Sequence, residues 1–158
     1  MRLLGLTAAG LVCGSIFVLA AAWTASGAGA APDSVAHTCS ATDRAFIRTA
    51  SVNIAAVGSW GRDYLAGEAN GKEVIRNTEA AAERVAGTKP TDPALRRARL
   101  VMGAMLWEYG RAIRAREKGR DAGPPMYRAY GLANFAADTL RQAQPALLER
   151  GCDIAELL

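Results

Sequence analysis

The stretch from Pro93 to Lys118 reads PALRRARLVMGAMLWEYGRAIRAREK, and its spacing decides the fold. Leu95, Ala98, Met102, Met105, Leu106, Tyr109 and Ile113 recur at three- and four-residue intervals, close to a heptad. That interval places them on one face of a helix turning every 3.6 residues or about that. Asp92 stands just ahead as an N-cap whose carboxylate accepts free N–H groups, and Pro93 suits the first helical position, where no N–H is needed. Gly119 to Pro125 breaks the pattern.

Three similar patterns flank it. Ser40-Ala-Thr-Asp43 reads as a capping box, the Ser40 hydroxyl and the Asp43 carboxylate each satisfying a free N–H. Phe46, Ile47, Ala50, Ile54, Val57, Gly61 and Tyr64 then form one stripe, ended by Gly67 and Gly71. A shorter helix is expected from Lys72 to Ala86, with Val74, Ile75, Thr78, Ala81, Ala82 and Val85 inward and Gly87 as the residue that closes it. The fourth helix is expected from near Pro125, with Met126, Tyr130, Ala133, Ala137, Leu140, Leu147 and Leu148 inward. Pro145 is expected to kink or interrupt it, because it lacks an N–H and crowds the preceding turn.

Four amphipathic helices with short connections predict an all-α fold, an antiparallel up-down-up-down four-helix bundle. The cysteines supply an independent argument. That topology puts the start of the first helix and the end of the fourth at one end of the bundle, where Cys39 and Cys152 stand. A disulfide needs alpha carbons within about 7 Å, so the two positions are predicted to pair and close the domain. Closing so long a loop contributes about 4 to 5 kcal/mol in the chain-entropy model.

The first thirty residues differ in composition. Arg2 is the only charge before Asp33, Leu3 to Trp23 is apolar or small, and Ala28-Gly29-Ala30 fits a small-residue cleavage pattern. Residues 1–30 are expected to be a signal peptide removed before Ala31. A retained anchor is the alternative, since the apolar run is about as long as a spanning helix, although Gly5, Gly10 and Gly14 weaken it. Residues 31–39 then form a flexible tail and 40–158 the helical domain. Export leads to an extracytoplasmic location, secreted or associated with the cell envelope, and to an oxidising compartment in which a disulfide persists.

Chemistry is narrowed mostly by what is missing. The sole histidine, His37, falls in the expected tail, and there is no G-x-S-x-G, H-E-x-x-H or phosphate loop. Paired cysteines offer no nucleophile, and the remaining Cys and His are too few for a metal site. No catalytic residue, metal or cofactor is expected. Met102, Met105 and Tyr109 read as core rather than haem ligands. A net charge of +4 is modest, so nucleic acid is not expected as a partner.

The face of the third helix opposite its stripe holds Arg96, Arg97, Leu100, Trp107, Arg111, Arg114 and Lys118. Solvent faces usually mix charges, whereas this one is almost wholly basic and carries a Trp and a Leu. Such a surface suits an anionic membrane, an acidic wall polymer or a protein partner. The plainer alternative is a solvated basic face with Trp107 tucked against the second or fourth helix. Phe135 also points off its stripe, and a meeting with Trp107 makes either extra core or a binding patch. Two other readings remain open. One is a carrier of a small apolar or aromatic ligand in a cavity among Met102, Met105, Tyr64 and Tyr130. The other is an enzyme acting on a small anion, with Glu108 and Asp63 as its carboxylates.

Overall fold

A computed structural model describes residues 38–158; the expected signal peptide, its cleavage point and most of the expected tail, His37 included, lie outside the described residues. The described chain is all-helical, with α1 (Ala41–Ala66), α2 (Gly71–Gly87), α3 (Pro93–Glu117), α4 (Gly123–Glu149) and a final 3-10 turn at Ala155–Leu157.

α1 starts where expected, but its cap is only half a capping box. The Ser40 hydroxyl accepts the Asp43 N–H at 3.0 Å. The Asp43 carboxylate does not return to Ser40 N–H. It turns to the α2–α3 connection, accepting the N–H groups of Thr91 at 2.7 Å and Asp92 at 3.0 Å and the Thr91 hydroxyl at 2.8 Å. At the other end, Gly67 adopts φ +78°, a left-handed conformation open to glycine, and stops the helix.

All six expected inward residues of α2 are buried. Its ending differs from expectation: Gly87 is the last helical residue and has no positive φ. Arg99 of α3 closes the helix instead, donating to the carbonyls of Ala86 at 2.7 Å and Thr88 at 3.2 Å. The Thr88 hydroxyl takes the Val85 carbonyl at 2.7 Å. A tertiary cap of this kind leaves no local signal at Gly87.

α3 begins as read, with the Asp92 carboxylate accepting Ala94 N–H at 2.8 Å and Leu95 N–H at 3.1 Å. It packs most extensively, against both α2 and α4, while α1 lies mainly on α2. Leu95, Ala98, Met102, Leu106 and Ile113 are buried; Met105 and Tyr109, at the edge of the stripe, are half-buried.

α4 corrects the sequence reading in two ways. It runs unbroken through Pro145, which sits on the exposed face, where the Arg141 carbonyl left without its helical donor meets water. Its buried residues are Pro125, Ala129, Ala136, Leu140 and Leu147, whereas Tyr130 and Leu148 are exposed. The reason is packing. α4 packs mainly against α3, so from Pro125 to Ala136 its contact face is turned by about one residue, some 100°, while Leu140 and Leu147 stay inward as read. Met126, Tyr130 and Ala133 are left fronting the space towards α1.

Both ends of the helices are tied. Cys39 and Cys152 form the disulfide, their alpha carbons 5.1 Å apart. Cys39 is buried rather than part of a tail, and its N–H donates to the Arg150 carbonyl at 2.7 Å. Arg150 in turn donates to the buried Asp92 carboxylate at 2.6 Å. The starts of α1 and α3 and the end of α4 therefore meet. At the opposite end, Tyr64 of α1 donates to Glu117 of α3 at 2.8 Å, and that carboxylate lies against Gly71 at the start of α2. Here Val74, Ile75 and Ile113 form a second, smaller core with Tyr64 and Trp60 packed against it.

Candidate functional site

The face read from α3 exists as a surface. Leu100 is 63% exposed and Trp107 40%, so Trp107 is not core. Residues 100, 107, 111, 114 and 118 follow one another at three-, four- and seven-residue steps, which keeps them in line along the helix. Phe135 is 44% exposed, and it is met by Arg97, whose guanidinium stands 5.0 Å from the ring centroid. The aromatic pair considered from sequence is thus replaced by a cation–π contact between α3 and α4.

The charges on this face are arranged rather than scattered. Arg114 pairs with Glu79 of α2. Arg111 reaches Glu108 at 2.8 Å, and Arg128 of α4 takes the other oxygen of the same carboxylate at 2.9 Å. Glu108 is mostly covered, with 16% side-chain exposure, so it holds both guanidinium groups at a fixed place on the rim. Lys118 and Arg120 make no ion pair among the described residues. Arg96 is exposed on the same face, nearer the start of α3.

At the α3–α4 turn these side chains surround an open hollow of about 270 Å³, lined by Arg111, Arg114, Lys118, Arg120 and Arg128 with Ala115 and Pro125. The carboxylates of Glu108 and Glu79 offset part of the five cations, and the unpaired Lys118 and Arg120 leave the hollow positive. Arg guanidinium groups held in one plane present paired N–H donors to phosphate or carboxylate oxygens, and a nearby ammonium adds a point charge. The lining offers guanidinium groups and one ammonium, a donor set suited to anion capture. The N-terminus of α4 adds little: Gly123 N–H is already taken by Asp121 at 2.8 Å, and Pro124 and Pro125 have none to give.

No protein-family model, curated protein or solved structure matches this chain.

Sequence reasoning found three of these five cations, Arg111, Arg114 and Lys118 on α3, but missed Arg120 and Arg128. The signal was present in the short α3–α4 connection, which folds the first turns of α4 back beside the last turns of α3. The two carboxylates considered for catalysis do not converge. Glu108 is engaged by its two arginines, and Asp63 takes no part in that network. The expected ligand cavity is also rearranged. Met102 is buried in the main core and Tyr64 belongs to the second, while Met105 and Tyr130 line a groove between α1, α3 and α4.

Proposed function

We propose that this protein is an exported, non-enzymatic binding module, an up-down-up-down bundle behind a signal peptide, that docks on an anionic, phosphate- or carboxylate-bearing surface through α3 and the start of α4. The observation that carries the reading is the cationic hollow at the α3–α4 turn, continuous along α3 with exposed Trp107 and Leu100. In that arrangement the cations supply long-range attraction and orientation. The indole and the leucine supply apolar contact at short range, as at membrane interfaces and in polymer-binding grooves. The Cys39–Cys152 disulfide supports an oxidising, extracytoplasmic setting. No helix among the described residues is long and apolar enough to cross a membrane, so attachment through this domain is by surface contact.

The test is cosedimentation with vesicles of neutral lipid and of neutral plus anionic lipid, together with isolated cell-wall polymer, across a salt series. Wild-type protein is expected to bind the anionic preparations at low salt and to release as salt rises, because exposed charges are screened beyond about 10 Å at 0.1 M. Lys118→Glu with Arg120→Glu should abolish binding without loss of helicity, since neither side chain pairs with a described residue. Trp107→Ala should weaken binding at every salt concentration. Binding that is indifferent to both salt and charge reversal would falsify the proposal.

A further inference from the structure

On the side of α3 away from the basic face, α1 and α4 leave a groove open. Its walls are small residues, Gly58 from α1 and Ala129 and Ala133 from α4, and its floor is Val57 and Leu106. Small side chains between helices ordinarily let the backbones close together. Here they do not, because α4 is committed to α3 and Tyr109 stands between α1 and α3. The Tyr109 hydroxyl lies where a side chain at Gly61 would begin, so that glycine accommodates the phenol and fixes it as one end of the groove. Tyr130 and the flexible thioethers of Met105 and Met126 complete the lining.

The groove holds about 210 Å³ and has no charged residue in its lining. A dry apolar cavity of about 150 Å³ takes up benzene, so a space of this size suits about eight to ten carbons. It is too small for a helix, which measures about 10 Å across with its side chains. A second hollow, lined by Gly123, Met126, Tyr127 and Tyr130, adjoins it and shares Met126 and Tyr130, giving a longer group a way out along α4. Burial, with Tyr130 nearby, raises the pKa of Tyr109; a phenol is a proton donor at neutral pH without that shift, and its hydroxyl is able to donate.

We infer that this groove binds one uncharged apolar or aromatic group of about eight to ten carbons carrying a single polar end, its body between Gly58 and Ala133 and its polar end toward Tyr109. The site is separate from the cationic hollow and does not depend on it. Either an aromatic small molecule or the end of an acyl chain has this chemistry.

The experiment titrates purified protein with 1-naphthol, followed by calorimetry and by saturation-transfer NMR, with octan-1-ol as competitor. Saturable binding is expected, weakened by about tenfold or more in Ala133→Leu, which adds three carbons to the groove. Gly58→Leu approaches the same space from α1, and the nearest atom to its first side-chain carbon would be 3.7 Å away. Either variant therefore reads the groove if the other fails to fold. Displacement by octan-1-ol assigns an acyl-type ligand, and its failure to compete assigns an aromatic one. No saturable uptake, or uptake unchanged in a folded variant, overturns the inference. So does a wild-type dimer that becomes monomeric in Ala133→Leu without taking up naphthol, an outcome that gives the groove to a second copy of the chain.

Discussion

The carboxylate of Asp43, in the first turn of α1, accepts the backbone N–H of Asp92, the N-cap of α3, at 3.0 Å. Asp92 then caps α3 and holds Arg150 at the end of α4. Two acidic side chains thus organise three helix ends in series, each satisfied by N–H or guanidinium donors and each buried. The disulfide at the same end adds a covalent tie to this polar knot.

Removing the Asp43 carboxylate should therefore cost stability well beyond one surface hydrogen bond. Burial by itself raises the pKa of this group. The donors at Ser40, at the Asp92 and Thr91 backbones and on the Thr91 hydroxyl outweigh it and hold the carboxyl below its ordinary 3.8. A pKa lowered by folding stabilises the native state above the unfolded value, and that stabilisation is lost as pH falls through the folded one. Asp43→Asn should lower stability by about 2 to 4 kcal/mol at neutral pH, several charge-assisted bonds being lost at once. The gap between variant and wild type, read from urea unfolding, should hold near pH 7 and narrow only below pH 3.8.

The disulfide closes a sequence separation of 113 residues. Replacing Cys39 and Cys152 together by Ala should cost about 3 to 5 kcal/mol, mainly by freeing the unfolded chain. Helical circular dichroism should survive at room temperature, because the Cys39 N–H to Arg150 and the Asp92–Arg150 pair hold the same end without it. A variant with no cooperative unfolding transition would show that the polar knot cannot hold this end alone.

What was legible in the sequence was whatever a single helix dictates about itself. The six-residue inner face of α2, the Asp92–Pro93 start of α3 and the meeting of Cys39 with Cys152 all follow from local periodicity, capping chemistry and helix count. What was not legible depended on how helices settle against one another. The rotation of α4 that exposes Tyr130, the cap on α2 supplied by Arg99 and the turning of Asp43 to another loop are tertiary choices. The basic row on α3 was visible, yet the hollow required Arg128 from α4 and Arg120 from the turn. The apolar groove was legible only in part: Met105 and Tyr130 were read as lining a cavity, whereas the small residues that open it, Gly58 on α1 and Ala129 and Ala133 on α4, read equally well as a close contact.

Gly61 offers a direct probe of the α1–α3 spacing. A methyl group there would overlap the Tyr109 hydroxyl and stand 3.2 Å from the ring carbon that bears it. Ala is the better helix former by about 0.5–1 kcal/mol, but crowding of this kind costs about 1–3 kcal/mol, so Gly61→Ala should be a net destabiliser. Adding Tyr109→Phe removes the overlapping oxygen and should restore more than half of the loss. Thermal melts of the two single variants and the double variant give the coupling directly. Strictly additive losses would mean the hydroxyl is not held against α1.

Thr78 is fully buried in α2, and its hydroxyl has no hydrogen-bond partner among the described residues. Its methyl group is the part in contact across the helix pair, lying 3.7 Å from where a side-chain carbon would stand at Gly110. An unpaired hydroxyl in such a place carries a desolvation penalty of about 1–3 kcal/mol. Valine keeps the shape and the methyl contact and replaces only the hydroxyl with a second methyl. Thr78→Val should therefore raise stability by about 1 kcal/mol, at the low end of that range because the hydroxyl keeps some polar surroundings from the helix carbonyls. The chemical-denaturation midpoint should move up with an unchanged slope. A fall in the midpoint would mean that the hydroxyl is bonded in solution, to the Val74 carbonyl one turn earlier or to a buried water.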